Sequence, residues 1–355
     1  MIQANTIDEV RDAVTSHDRI KVCAGNSKPA LTDGANLSLQ SLNGVLEYQP
    51  SEYTFTALAG TRISEVEDLL AQNRQYLPFD PPLAAAGATV GGTVAAGLSG
   101  SGRYRYGGVR DFLIGVTFIS GDGRTVSGGG KVVKNAAGFD IPKLMVGSLG
   151  RFGVLVELTF KVFPARDASA TIAIDTGDLP SAISLMNTLA VSSEDLDRLD
   201  LEPPGRLMVR ISGIHDALSA RIARVKRLIP PDATVDDIDD DLHYWRSVRE
   251  FEWAPADHTL LKLPLTSERI ERVEHSMRAI QGGVVRRYGV GGNVAWLAFP
   301  SAVSLREIES LILADNAQGL VLRGHSGPGL IGTNDQNEFE KRLLRVFDPD
   351  GRFRR

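Results

Sequence analysis

The sequence predicts an α+β protein of two domains, and three observations carry that reading. The chain has 355 residues, more than one hydrophobic core usually holds. Residues 1–166 alternate short strands and helices and are punctuated by glycine-containing loops. After Pro164 the texture changes: strands patterned for one buried face alternate with amphipathic helices, as in a smaller antiparallel sheet with helices on one face. The expected domains are therefore 1–166 and 167–355, with the C-terminal tail free to return to the first.

The N-terminal stretch "MIQANTIDEVRDAV" reads as a helix opened by a capping box of Thr6 and Glu9, with Val10 and Val14 on the buried face. It has neither the basic start nor the apolar centre of a signal peptide. "YTFTALAG" alternates like a strand, and "SEVEDLLAQNRQY" reads as a helix capped by Ser64 and Glu67. "DFLIGVTFISGDGRTVSGG" is a hairpin around Gly-Asp-Gly. "VLVELTFKVFP" places Val156, Leu158, Phe160 and Val162 on one face, and Pro164 ends it. In the second domain "ATIAID", "RLMVRISG", "HTLLKLPL", "VAWLAFP" and "GLVLRG" read as strands. Residues 216–229 and Ser267 to Ile280 read as helices, and Ser304 with Glu307 caps a third. "DATVDDIDDDLHYW" reads as an acidic, solvated loop without calcium-site spacing.

Composition excludes several functions. A formal charge of −5 argues against nucleic-acid binding, which needs an excess of Lys and Arg on one face. Cys23 is the only cysteine, so the chain alone closes no disulfide and ligates no iron–sulfur cluster; a reducing cytoplasm is expected. There is no G-x-G-x-x-G after a strand, no G-x-x-x-x-G-K-[ST] and no H-E-x-x-H.

The loops "CAGNSKP", "GATVGGTVAAGLSG", "GGGKVVKNAAGFD" and "GSLGRFG" share one chemistry. Glycine lets backbone N–H groups approach an anion without a side chain in the way, and successive N–H groups form an anion nest. The stretch from residue 87 to 107 is too rich in Gly, Ala, Ser and Thr for a membrane span. Its apolar residues, Val90, Val94, Ala95, Ala96 and Leu98, are too many for a flexible linker. Several such loops in one domain suggest a long, phosphate-bearing ligand held largely by main chain.

"LPFDPP", "GATVGG", "GLSG", "RYRYGGVRDFLIGV", "GDG", "VVKNAAGFD" and "GSLGRFGVLVELTFKV" occur in one order between Leu77 and Pro164. That order resembles the FAD-binding domain of the vanillyl-alcohol oxidase, or PCMH-type, flavoproteins, a domain of two α/β subdomains. Within the family the chain looks most like the FAD-binding subunits of bacterial glycolate oxidases. The resemblance implies that Ala24, Gly25, Asn26 and Ser27, with Gly87, Ala88, Thr89, Gly91 and Gly92, hold the pyrophosphate of FAD. It places Pro81 near the flavin and Ser99, Gly100 and Asp111 along the cofactor channel. Lys134, Asn135, Gly138 and Asp140, with Gly153 and Val154, would follow toward the adenosine. Relatives carry more glycines in the first loop, where this chain has "CAGNS". None of the six histidines lies in the relevant loops, so the FAD is expected to be non-covalent.

The activity implied is hydride transfer from C2 of a small 2-hydroxy acid to flavin N5, while a base takes the hydroxyl proton. Electrons then pass to a second flavoprotein subunit and an iron–sulfur subunit. A location in the cytoplasm, at the inner face of the membrane only through those partners, goes with it. The substrate carboxylate calls for a fixed cation, for which Arg103, Arg105, Arg287 and Arg323 are candidates. His325, in "RGHSGPG", is a candidate base or a structural histidine; no metal is expected, because it lacks metal-binding partners at a clear spacing. Two other readings stay open: a flavin-bearing assembly or electron-relay subunit without turnover, and a self-sufficient FAD oxidoreductase with another substrate.

Overall fold

The computed structural model describes residues 1–130, 139–313, 317–325, Gly327, 329–332 and 338–353. Of the expected site residues, Lys134, Asn135 and Gly138 lie outside the described residues. The chain divides into two compact units. One comprises Met1–Ser99, Gly107–Ala165 and Asp335–Arg355; the other comprises Gly100–Tyr106 and Arg166–Asn334. A seven-residue excursion after Ser99 groups with the second unit, which a cut at residue 166 does not give, while the C-terminus groups with the first, the arrangement left open for the tail.

The first unit holds two main sheets. Ile2–Gln3 and Val22–Cys23 each pair in parallel with Leu37–Ser38. The larger sheet is antiparallel, in the order Val45–Gln49, Thr54–Leu58, Val154–Lys161, Leu113–Ile119 and Thr125–Gly129. The expected hairpin is there, with Thr117 opposite Ser127. Val156, Leu158, Phe160 and Val162 are buried, and Phe160 stacks on Phe55 and Phe79. Thr6 caps the helix Ile7–Ser16 by accepting from Glu9 N–H, and the Glu9 carboxylate accepts from Asn5 N–H. The second expected cap is corrected: the helix Ile63–Ala71 begins one residue before Ser64, with Arg62 at its N-cap and no side-chain cap bond.

Among the described residues of the second unit, nine antiparallel strands form one sheet. Their order is Thr234–Ile238, Ala168–Asp175, Arg206–Gly213, Arg198–Glu202, Val285–Gly289, Val294–Phe299, Thr259–Pro264, Gln318–Arg323 and Leu330–Gly332. Helices Leu179–Ala190, His215–Lys226, Asp241–Arg249, Ile270–Met277 and Leu305–Leu313 accompany it. Trp245 is buried against Ala173 and Met208. The acidic stretch is not a loop: Thr234–Ile238 is an edge strand, and Asp240 caps the helix Asp241–Arg249. Exposed carboxylates suit an edge strand because they discourage pairing with another chain.

Candidate functional site

Two loops of the first unit meet through their backbones. A Cβ placed on Gly25 would lie 1.7 Å from the carbonyl oxygen of Gly87 and 3.2 Å from Thr89 Cγ2. Gly87 itself has φ +85°, a conformation that side chains disfavour. Only glycine at both positions lets the two loops touch. Gly91 also presses on the strand Thr54–Leu58 side, where an added Cβ would meet the Ala59 Cβ at 2.7 Å. Thr89 caps the helix Val90–Ala96, its hydroxyl accepting from Gly92 N–H.

The two loops differ in their open donors. In the second, Gly87, Ala88, Gly91 and Gly92 donate to Ala84, Leu83 and Ala59 carbonyls and the Thr89 hydroxyl respectively. In the first, the N–H groups of Gly25, Asn26, Ser27 and Lys28 find no acceptor among the described residues. Asn26 adopts φ +51°, and its side-chain oxygen accepts from Thr32. Four successive open N–H groups are a backbone nest for an anion. Lys28, which sequence reasoning passed over, is only 6% exposed, and its Nζ lies 2.9 Å from Ser27 Oγ. A cradle that one Cβ would fill, open N–H groups and a buried cation together fit a diphosphate. Buried hydroxyls at Thr93 and Ser148 also find no partner among the described residues.

Other expected contacts have structural partners of their own. Ser99 Oγ accepts from Val109 N–H, and Asp111 accepts from Gly108 N–H at 2.8 Å, shaping the turn into the short helix Val109–Phe112. Asp140 caps the helix Ile141–Met145 and pairs with Lys143. A Cβ on Gly153 would sit 2.6 Å from Ile119 O, so that glycine allows its strand to start beside Ile119; Val154 is the next residue and is buried. Pro81 is buried, and Gly100 opens the excursion that groups with the second unit.

In the second unit the four candidate arginines separate. Arg105 pairs with Asp195 and Asp197. Arg287 donates to Asp200, Glu202 and the Tyr244 hydroxyl; Asp200 is buried and also accepts from Ser101 and Val290 N–H. Burial pushes the Asp200 carboxyl up and Arg287 opposes that shift, while burial raises the Tyr244 hydroxyl. Arg323 donates to the carbonyls of Ala254 and Pro255. Arg103 is exposed and has no ion-pair partner among the described residues. It sits near Lys262 on the strand Thr259–Pro264, whose pKa is lowered to about 8, first by burial and then by Arg103. His325 Nε2 lies 3.0 Å from Val303 O. Among the described residues no cluster of three His, Cys, Asp or Glu side chains is placed to hold a metal.

This cradle belongs to a known class of domain. Residues 2–129 match the family FAD_binding_4, described as the FAD binding domain, and the chain carries such a domain there. Its cofactor is FAD, in agreement with the resemblance drawn from the glycine loops. Among individual proteins, the chain is similar to the glycolate oxidase subunit GlcE of Escherichia coli (strain K12): 38% identical over 169 residues, 47% of this chain and 48% of that one. It is also 29% identical over 195 residues to a D-lactate dehydrogenase of Anaerostipes hadrus, covering 52% of this chain and 40% of the relative. The chain thus spans about half or less of the length of these relatives. A solved alkyldihydroxyacetonephosphate synthase shares the fold, with a TM-score of 0.74 at 14% identity, over 99% of this chain and 75% of that one. No helix among the described residues is long and apolar enough to cross a membrane.

Proposed function

We propose that this chain is the FAD-binding subunit of a complex that oxidises a small 2-hydroxy acid, of the glycolate oxidase kind. The observation that carries the reading is its 38% identity to a glycolate oxidase subunit. Bound non-covalently, FAD supplies a two-electron acceptor for the hydride on the α carbon of the acid. The first unit holds it through the nest at Gly25–Lys28 and the tight approach of Gly25 to Gly87. In the second unit Arg103 and Lys262 anchor the substrate carboxylate. The Arg103 charge lowers the Lys262 pKa, and a carboxylate bound by both cations offsets that repulsion. Arg105, Arg287 and Arg323 serve the framework, because their guanidinium groups already hold carboxylates or carbonyls. With one cysteine, the chain passes electrons to a second flavoprotein subunit and an iron–sulfur subunit, and any membrane association runs through them.

The test is flavin reduction by glycolate, followed by absorbance in the complex purified with its co-expressed partners. Lys262→Met and Arg103→Lys should each lower the second-order rate of reduction about tenfold or more and leave FAD content unchanged. Wild-type rates in both variants would place substrate elsewhere and favour a flavin-bearing relay subunit. A complex that glycolate does not reduce, but another substrate does, would favour the self-sufficient or altered-substrate reading.

A further inference from the structure

Lys28 poses a physical problem that the cradle alone does not solve. Its ammonium is buried beside the first loop, and no carboxylate pairs with it among the described residues. The polar group at hand is the neutral Ser27 hydroxyl, 2.9 Å away. A buried ammonium without a counter-charge is strongly disfavoured, and proteins keep one where an anion comes to it. The side of Gly92 that lacks a Cβ faces it: an added Cβ there would lie 3.8 Å from Nζ. Lys28 therefore stands beside the start of the helix Val90–Ala96, next to four open N–H groups.

We propose that Lys28 is the fixed counter-cation of the FAD diphosphate, completing with its charge the nest formed by Gly25, Asn26, Ser27 and its own N–H. The proposal rests on the reading of this unit as an FAD-binding domain. Backbone donors orient the phosphate oxygens but carry only partial charge; the ammonium adds a whole one where water is excluded. The same burial lowers the Lys28 pKa to about 8 in the chain without an anion. A bound diphosphate favours the charged form, so FAD binding above pH 8 takes up a proton. The sign follows: affinity is flat below about pH 8, where Lys28 is charged with or without ligand, and falls as pH rises beyond it. Ser27, Thr89 and Gly92 do not titrate. Cys23, on the strand that leads into the loop, is pushed up by burial.

The experiment is titration of the full-length apoprotein with FAD, read by quenching of flavin fluorescence, for the wild type and Lys28→Met. At about pH 7 the substitution should weaken FAD roughly ten- to a hundredfold, the size of a lost charge-assisted contact. Circular dichroism should be unchanged, because Met keeps the length of the stem. Inorganic pyrophosphate should raise the melting temperature of the wild type but not of Lys28→Met. The wild-type dissociation constant should climb from about pH 8 to about pH 9.5, and that of Lys28→Met should not. A folded Lys28→Met that binds FAD as the wild type does overturns the proposal. Should the variant not fold, a wild-type dissociation constant flat across that pH interval overturns it equally. A wild-type chain that takes up no FAD at any pH fails the cofactor reading itself, an outcome distinct from tight, lysine-independent binding.

Discussion

At the scale of single residues, the contact between Gly25 and Gly87 separates a phosphate cradle from a pair of ordinary turns. A methyl group on Gly25 would overlap the Gly87 carbonyl at 1.7 Å, and that carbonyl belongs to backbone that cannot swing away cheaply. Gly25→Ala should therefore force the loops apart, destabilise the first unit by about 1–3 kcal/mol and lower FAD occupancy. Differential scanning calorimetry and flavin content after desalting check it; unchanged values for both would mean the loops yield freely. Much of this was legible in the sequence, because glycines at loop positions announce close backbone approach. Lys28 was not, since nothing in "GNSKP" says that the lysine turns inward. Nor could four arginines be ranked from sequence. Their difference lies in carboxylates such as Asp195, Asp200 and Glu202, distant from them in sequence and brought near by the sheet.

At the scale of elements, patterning with one buried face was legible and charged interior strands were not. Thr54–Leu58, Val154–Lys161 and Val294–Phe299 are found where their hydrophobic runs place them. Val285–Gly289 carries Arg286 and Arg287 in succession, which reads as surface. Its arginines are accommodated because Glu274 meets the first and Asp200 with Glu202 the second. Arg198–Glu202 escaped notice for the same reason, its charges being the other half of that network. Caps were legible in part: Thr6 was, whereas the helix at Ile63 starts without one. Asp111 has a structural part of its own beside the cofactor role that the resemblance implies. Its carboxylate accepts from Gly108 N–H and fixes the turn before Val109–Phe112. Asp111→Ala should cost about 1 kcal/mol, as loss of a capping acceptor commonly does, and lower the melting temperature by about 2–4 °C. FAD affinity should stay close to wild type. A large loss of affinity at unchanged stability would instead mark Asp111 as a cofactor ligand.

At the scale of the whole chain, the sequence places a boundary at residue 166 and leaves the C-terminal tail free to return, and the first unit is closed by residues of that tail. Asp348 is buried and accepts from the N–H groups of Arg352 and Phe353, and Gly121 N–H donates to Phe347 O. Arg352 donates to the carbonyls of Val14, Thr15 and His17, Ile20 N–H donates to Arg352 O, and Glu340 pairs with Arg151. Phe347 meets Phe118 edge to face at 5.4 Å between ring centres. None of this is visible as a periodic pattern, because a returning C-terminal segment makes its contacts with the rest of the unit across 189 residues of sequence or more, Arg124 and Val346 being 222 apart. A fragment of residues 1–166 should consequently express poorly or melt well below the intact protein. It leaves the C=O groups of Val14 to His17 and the face of Phe118 without partners. Joining residues 338–355 to that fragment through a flexible linker should restore much of the melting temperature and the FAD binding, since the clasp needs proximity and not the intervening unit. Fragment 1–166 holding FAD as tightly as the intact chain would show that the C-terminal segment only decorates a domain already complete without it.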